Sequence, residues 1–274
     1  MLKPNEIHTI PLQQSEGRAV RLVLDTRDLQ ANDPFVILAD DTFAHNTFAD
    51  HPHKGIQTVT YVLDGSLTHY DSKTGTGGRL SEGDFQIMTA GRGIIHNENP
   101  DHGEEARVMQ LWVNLSSEHK KVDGQYEDLA FKDVPTAKIE GGLLEVYAGK
   151  VGELISPLKQ FTPFTFAVVT LQAGASYHLP VQADFSNNVY VLEGDLKISG
   201  ENASKFQAAT FAVNDEATTI SFEAKTPAKI AYFGGQPIRQ PIAARGPFVM
   251  NTNEELKEAF ADYRNGQFLD GAPY

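Results

Sequence analysis

The sequence predicts an all-β protein made of two tandem β-barrel or sandwich domains with a short C-terminal helix. Three observations carry this expectation. Short runs rich in β-branched and aromatic residues are separated along most of the chain by Gly, Asp, Asn and Pro. One phrase recurs: Tyr61-Val62-Leu63-Asp64-Gly65-Ser66-Leu67 matches Tyr190-Val191-Leu192-Glu193-Gly194-Asp195-Leu196, and positions 61 and 190 are 129 apart. Helical spacing is evident in the tail.

Taken in order, Thr58-Val59-Thr60-Tyr61-Val62-Leu63 reads as a strand, and Asp64-Gly65 after it is a strong turn signal. Phe85-Gln86-Ile87-Met88 reads as a strand entered through Glu82-Gly83-Asp84, and Val108-Met109-Gln110-Leu111-Trp112-Val113-Asn114 as a third. In the second half, the run from Phe164 to Leu171 and Lys229-Ile230-Ala231-Tyr232-Phe233 read the same way. The two copies join between Lys132 and Glu140, which divides the chain into 1–135 and 136–274. In the tail, Thr252 and Glu255 stand in the S/T-x-x-E arrangement of a capping box. Leu256, Ala259, Phe260 and Tyr263 share one helical face, and Gly266 is a natural stop. That apolar stripe reads as a packing face.

The 274 residues suffice for one large or two ordinary domains with real cores. Hydrophobic and charged fractions of 41% and 22% are those of a soluble globular protein. No apolar run approaches the roughly 20 residues that span a bilayer, and Met1-Leu2-Lys3-Pro4-Asn5-Glu6 lacks the apolar core of a secretory signal. There is no cysteine, which excludes disulfides, thiolate ligands and cysteine nucleophiles. A cytoplasmic protein is the expectation. The net charge of −13 repels phosphate backbones, so direct nucleic-acid binding is not expected, nor is membrane association.

The residues that carry chemistry lie in the first half. His51-Pro52-His53 places two imidazoles two apart, so on a strand both point to one face. His96-Asn97-Glu98 repeats the spacing with an imidazole and a carboxylate. Two neighbouring strands, each offering two ligands, can surround one divalent ion. Three neutral imidazoles and a carboxylate suit Fe, Mn, Co, Ni, Cu or Zn, whereas Ca and Mg prefer all-oxygen shells. An HxH pair by itself is common by chance; two such pairs with glycines between them are not. Of the nine histidines, His8, His45, His69, His102, His119 and His178 show no comparable partner and most of them read as surface or packing residues, with His45 and His102 close in sequence to the two pairs. The 129-residue offset maps His51 and His53 onto Pro180 and Gln182, and no histidine follows His178, so the second copy cannot rebuild a three-His site. A purely structural metal is disfavoured, because structural zinc sites are usually closed by four ligands rich in Cys.

These residues resemble the cupin superfamily, whose first motif holds an HxH pair followed by Glu and Gly and whose second holds Gly-x-x-His. Here they read His51-Pro52-His53-Lys54-Gly55-Ile56-Gln57 and Gly93-Ile94-Ile95-His96. Longer phrases resemble the pirin family. His51-Pro52-His53-Lys54-Gly55 is similar to its HPHRG, and Thr89-Ala90-Gly91-Arg92-Gly93-Ile94-Ile95-His96 to its TAGRGI-x-H. Leu111-Trp112-Val113-Asn114-Leu115 is similar to its LWVNL, and Gly246-Pro247-Phe248-Val249-Met250-Asn251-Thr252-Asn253-Glu254-Glu255 to its GPFVMNT-x-EE. Gln57 stands where the family commonly has Glu, and Ile87 where Trp is common, both near the expected pocket.

The resemblance implies a bicupin of two jelly-roll barrels with a metal in the first. Its ligands carry over to His51, His53, His96 and Glu98, and iron, as Fe(2+), is the usual ion. Several family members cleave the flavonol quercetin as 2,3-dioxygenases. On that reading the partners are an aromatic small molecule and O2, and Glu98 is the base that takes the flavonol 3-hydroxyl proton. The alternative implied by the family is a non-enzymatic metal-bearing redox sensor, a transcriptional cofactor acting through protein partners.

Overall fold

The computed structural model describes residues 1–24, 27–72, 75 and 77–269. The expected strands form: Ile56–Asp64, Phe85–Ala90, Glu105–Asn114, Phe164–Leu171 and Ala228–Gly235 contain the five runs picked out above. They belong to two compact units. Each is built on a seven-stranded and a four-stranded antiparallel sheet. The architecture is all-β with one C-terminal helix, as expected.

In the unit formed by 12–131 and 238–274, the large sheet runs in the order Gln125–Leu129, Phe85–Ala90, Ile56–Asp64, Glu105–Asn114, Phe35–Ala44, Arg18–Leu22, Gln13–Ser15. Its small sheet runs His51–His53, Ile94–Asn99, Ser66–Asp71, Arg79–Ser81. In the unit formed by 1–11 and 132–237, the large sheet begins with Glu6–Thr9 and Gln207–Phe211 and has Ser186–Glu193, Ala228–Gly235 and Phe164–Leu171 at its centre. The recurring phrase occupies equivalent turns, each leading from a strand of the large sheet to a strand of the small sheet, Ile56–Asp64 to Ser66–Asp71 in one unit and Ser186–Glu193 to Asp195–Ile198 in the other. Gly65 and Gly194 have φ of +79° and +81°, and a Cβ on either would lie 2.6 Å from Glu105 O or 2.2 Å from Pro227 O. Backbone at positive φ pressed against a carbonyl is open only to glycine, so the same residue is required in both copies. The interior of the second unit is filled by apolar side chains, among them Leu144, Val169, Leu179, Val189, Ile220 and Tyr232.

The expected division into 1–135 and 136–274 is corrected at both ends of the chain. Glu6–Thr9 pairs with 207–210, Ile10 is buried and its N–H donates to Phe206 O at 2.9 Å. The first residues therefore complete the second unit. Residues 238–269 go the other way. Phe248 bridges Lys54, and Val249 N–H donates to Lys54 O at 3.0 Å. The buried Lys120 ammonium donates to Gly55 O at 2.9 Å, Asn114 Oδ1 at 2.5 Å and Val249 O at 2.8 Å. Ile95, Phe248, Met250, Leu256, Ala259 and Phe268 form one apolar cluster, so the C-terminal helix is part of the first unit. A repeat locates copies of a phrase, but it does not say which sheet edge a terminal strand completes.

The helix spans Asn253–Arg264, with both halves of the capping box formed: Glu255 N–H donates to Thr252 Oγ1, and Thr252 N–H to Glu255 Oε2. Leu256 and Ala259 are buried and Phe260 and Tyr263 half-buried against the cluster, so the stripe is a packing face.

Candidate metal centre

Register brings the two pairs together. The strand His51–His53 runs antiparallel to Ile94–Asn99 with His96 directly opposite His51 and Ile94 opposite His53. Side chains two apart on a strand share a face, so His51, His53, His96 and Glu98 all face one way. Ring centroids lie 4.9 Å apart for His51–His53, 4.5 Å for His51–His96 and 5.0 Å for His53–His96. One ligand atom from each of these three residues lies within 4.8 Å of the others, and among the described residues this is the cluster with metal-site spacing.

The donor chemistry fits a cation. His53 Nδ1 and His96 Nε2 are buried without a hydrogen-bond partner, a costly condition for a polar atom unless something else satisfies it. His51 Nδ1 is tied to Ala49 O at 2.9 Å, which leaves Nε2 as its second ring nitrogen. Burial first, then the neighbouring His51 ring, pushes the His53 pKa down to about 3, against a bond to the Pro247 carbonyl that raises it. Burial and the rings of His53 and His51 hold His96 well below the ordinary histidine value. Both rings are therefore neutral at physiological pH, the form in which imidazole donates a lone pair.

Glu98 shares the face but is engaged elsewhere, and the three-imidazole cluster does not include it. Its Oε1 accepts from Thr60 Oγ1 at 2.8 Å and lies 3.7 Å from His69 Nδ1. Burial raises this carboxyl, but His69 and Thr60 together outweigh it, so it sits below its ordinary value and is ionised. Thr60 Oγ1 is also 3.0 Å from Gln110 Oε1. A hydroxyl has one hydrogen, which the carboxylate claims; a turned-over Gln110 amide would offer its NH2 to the Thr60 oxygen.

The cluster opens into a cavity of about 200 Å3. Its walls come from two paired strands whose inward positions alternate: Val108 faces Asp41, Gln110 faces Ala39 and Trp112 faces Ile37. Phe43, Phe48 and Pro247 complete the apolar lining. At the cavity, Arg18 forms a forked pair with Asp41, Nε to Oδ1 at 2.9 Å and an η nitrogen to Oδ2 at 2.5 Å, with its guanidinium 4.9 Å from the Phe48 ring centroid. Gln57 and Ile87, expected beside the pocket, are buried in their strands and are not among its lining residues; Gln57 donates to Thr89 Oγ1 at 2.9 Å. His45 and His102 pair with each other, centroids 5.4 Å apart, and do not line the cavity.

His69 corrects the sequence reading. It was expected to be an ordinary surface or packing residue, yet it is 1% exposed and its Nε2 is 3.1 Å from His96 Nδ1. The strand Ser66–Asp71 pairs with the His96 strand so that His69 stands directly opposite Glu98. The available signal was alternation: Leu67, His69 and Asp71 are buried while Thr68 and Tyr70 are exposed. Arg18, Asp41, Thr60 and Gln110 carried no signal of their own.

Two stacked-sheet domains, one with a three-histidine cluster opening on an apolar cavity, define the class as a bicupin with a candidate metal centre. The Pirin family model matches residues 18–113, and the model described as the Pirin C-terminal cupin domain matches residues 166–269. The rat protein named Pirin is 36% identical over 263 residues, covering 93% of this chain and 90% of its own, and Pirin-1 of Arabidopsis thaliana is 37% identical over 260 residues with the same coverage of each. The chain belongs to the pirin family. Among solved structures, a quercetin 2,3-dioxygenase from Acinetobacter baumannii is 31% identical with a TM-score of 0.87, covering 99% of this chain and all of that one. GK1651 from Geobacillus kaustophilus is 33% identical with a TM-score of 0.84, covering 87% and 98%.

Proposed function

We propose that this chain is a metal-dependent dioxygenase that opens the ring of a flavonol, in the manner of a quercetin 2,3-dioxygenase. The observation that carries the reading is the three-histidine cluster, two of whose members, His51 and His53, line with Glu98 a cavity that also has Trp112, Phe43, Phe48, Ile37 and Val108 in its walls. The likeness to the Acinetobacter dioxygenase over the whole chain supports the same reaction class.

His51, His53 and His96 would hold a divalent transition metal, with Glu98 as the fourth ligand, and Fe(2+) suits this set as do Mn, Co, Ni, Cu and Zn. The bound ion would supply a Lewis-acidic point for the substrate hydroxyl, and the electrons that reduce O2 would come from the flavonol itself. The rest falls to the chain. The apolar walls exclude water and stack a planar aromatic ring, the indole of Trp112 being held edge-on to His53 at 5.0 Å. Glu98 is the base that takes the 3-hydroxyl proton. It is ionised and lies at the cavity. Thr60 steadies Oε1, so release toward substrate is a small motion of a carboxylate already anchored at one oxygen. Arg18 is placed to meet polar substituents of the substrate, its own charge balanced by Asp41.

The test is metal analysis of protein purified without a His tag, then aerobic turnover of quercetin by the loaded protein. Glu98→Gln should keep the fold and lose about 10²–10⁴ in rate. Full activity in that variant removes the base role. A loaded wild-type site that consumes no O2 with any of a panel of flavonols removes the enzyme.

A further inference from the structure

His69 is a buried titratable group at this centre with no part in the roles above. Its ring is edge-on to Tyr126 at 4.5 Å, and it lies between a ligand candidate and a carboxylate, Nε2 at 3.1 Å from His96 Nδ1 and Nδ1 at 3.7 Å from Glu98 Oε1. Nitrogen atoms of two imidazoles come this close only as a hydrogen bond, in which one ring carries the hydrogen and the other offers a lone pair.

Two arrangements satisfy that bond, and they are not equivalent. If His69 Nε2 donates, its neutral ring turns a lone pair on Nδ1 toward the Glu98 carboxylate, acceptor against acceptor. His96 then carries its hydrogen on Nε2, the nitrogen left for the cluster, and cannot ligate through it. If His96 Nδ1 donates, both conflicts vanish. His96 Nε2, buried and unpartnered, presents a lone pair toward His51 and His53. His69 Nδ1–H, likewise unpartnered at hydrogen-bond distance, points its hydrogen at Glu98. We propose that His69 is a positioning residue that sets the His96 tautomer for ligation through Nε2 and orients the Glu98 carboxylate, in one chain from Glu98 through His69 to His96. This rests on the metal-binding reading of the cluster. It also goes beyond it, because the tautomers are set by side chains alone.

The experiment uses the full chain with 15N-labelled histidine, at mildly alkaline pH where free imidazoles are neutral. Long-range proton–nitrogen correlations assign the tautomer of each ring in metal-free and zinc-loaded protein. The expected result is hydrogen on Nδ1 in both His96 and His69 before any metal is added. His69→Leu should release His96 toward the Nε2–H form and weaken zinc binding about 10–100-fold, the usual cost of removing an outer hydrogen-bond partner. His69→Gln, whose carboxamide can both accept and donate, should recover most of that loss. Circular dichroism and unfolding midpoints track folding; should the Leu variant not fold, the wild-type spectra and the Gln variant decide. Hydrogen on Nε2 of His96 in wild type overturns the proposal, as does a folded Leu variant with unchanged tautomer and affinity. Wild type that shows the expected tautomers yet takes up no zinc supports the His69 role and sinks the metal reading instead.

Discussion

His53 shows what burial does to a single side chain here. It is 3% exposed, flanked by two other imidazoles and edge-on to Trp112. Its native pKa of about 3 lies below the ordinary 6.5, so the unfolded chain takes up a proton as pH falls through about 6.5 while the native ring does not until about 3. A depressed histidine of this kind leaves stability whole above 6.5 and erodes it across the window below. In metal-free protein the urea midpoint should fall across that window, and the fall should be shallower in His53→Asn; equal slopes in the two proteins would remove this account. His51, His53, His96 and Glu98 were legible because each pair is two apart, a spacing that strand geometry converts into a shared face. His69 was not, because its partner Glu98 is 29 positions away and only register joins them. The Arg18–Asp41 pair was hidden for the same reason.

Elements differ in how much of themselves they announce. The C-terminal helix is stabilised locally by a cap three residues from its partner, and that was readable. Thr252→Ala should cost about 1 kcal/mol of the first unit's stability, with Thr252→Ser largely restoring it, as measured by chemical denaturation. No difference between Ala and wild type would show the cap to be redundant with the packing of Leu256 and Ala259. The strand His51–His53 is the opposite case. Three residues hold no periodicity that marks a strand, and its existence depends on pairing with Ile94–Asn99. Gly55, just after it, has φ of +81° and would set a Cβ 1.9 Å from Val249 O. The Gly in the HPHKG phrase is thus explained by a strand almost 200 positions later in the chain, which the phrase alone does not disclose.

At the scale of the whole molecule, the two ends of the chain serve different units, and this separates two experiments. Deleting residues 1–9 strips the edge strand from the second unit and should lower its unfolding midpoint while leaving zinc affinity unchanged. Ending the chain before Gly246 removes Pro247, whose carbonyl meets His53 and whose ring lines the cavity, and should abolish tight zinc binding. If the first deletion weakened zinc or the second spared it, the assignment of the tails would be wrong. No helix among the described residues is long and apolar enough to cross a membrane. The sequence by itself determined the all-β class, the doubled phrase, the capped helix and the two same-face pairs His51/His53 and His96/Glu98, because each is written in residues a few positions apart and follows from local backbone geometry. Only the tertiary structure decided which unit each terminus completes, what walls the cavity and what stands behind His96, because these are contacts between strands far apart in the chain, and pairing register carries no local signature.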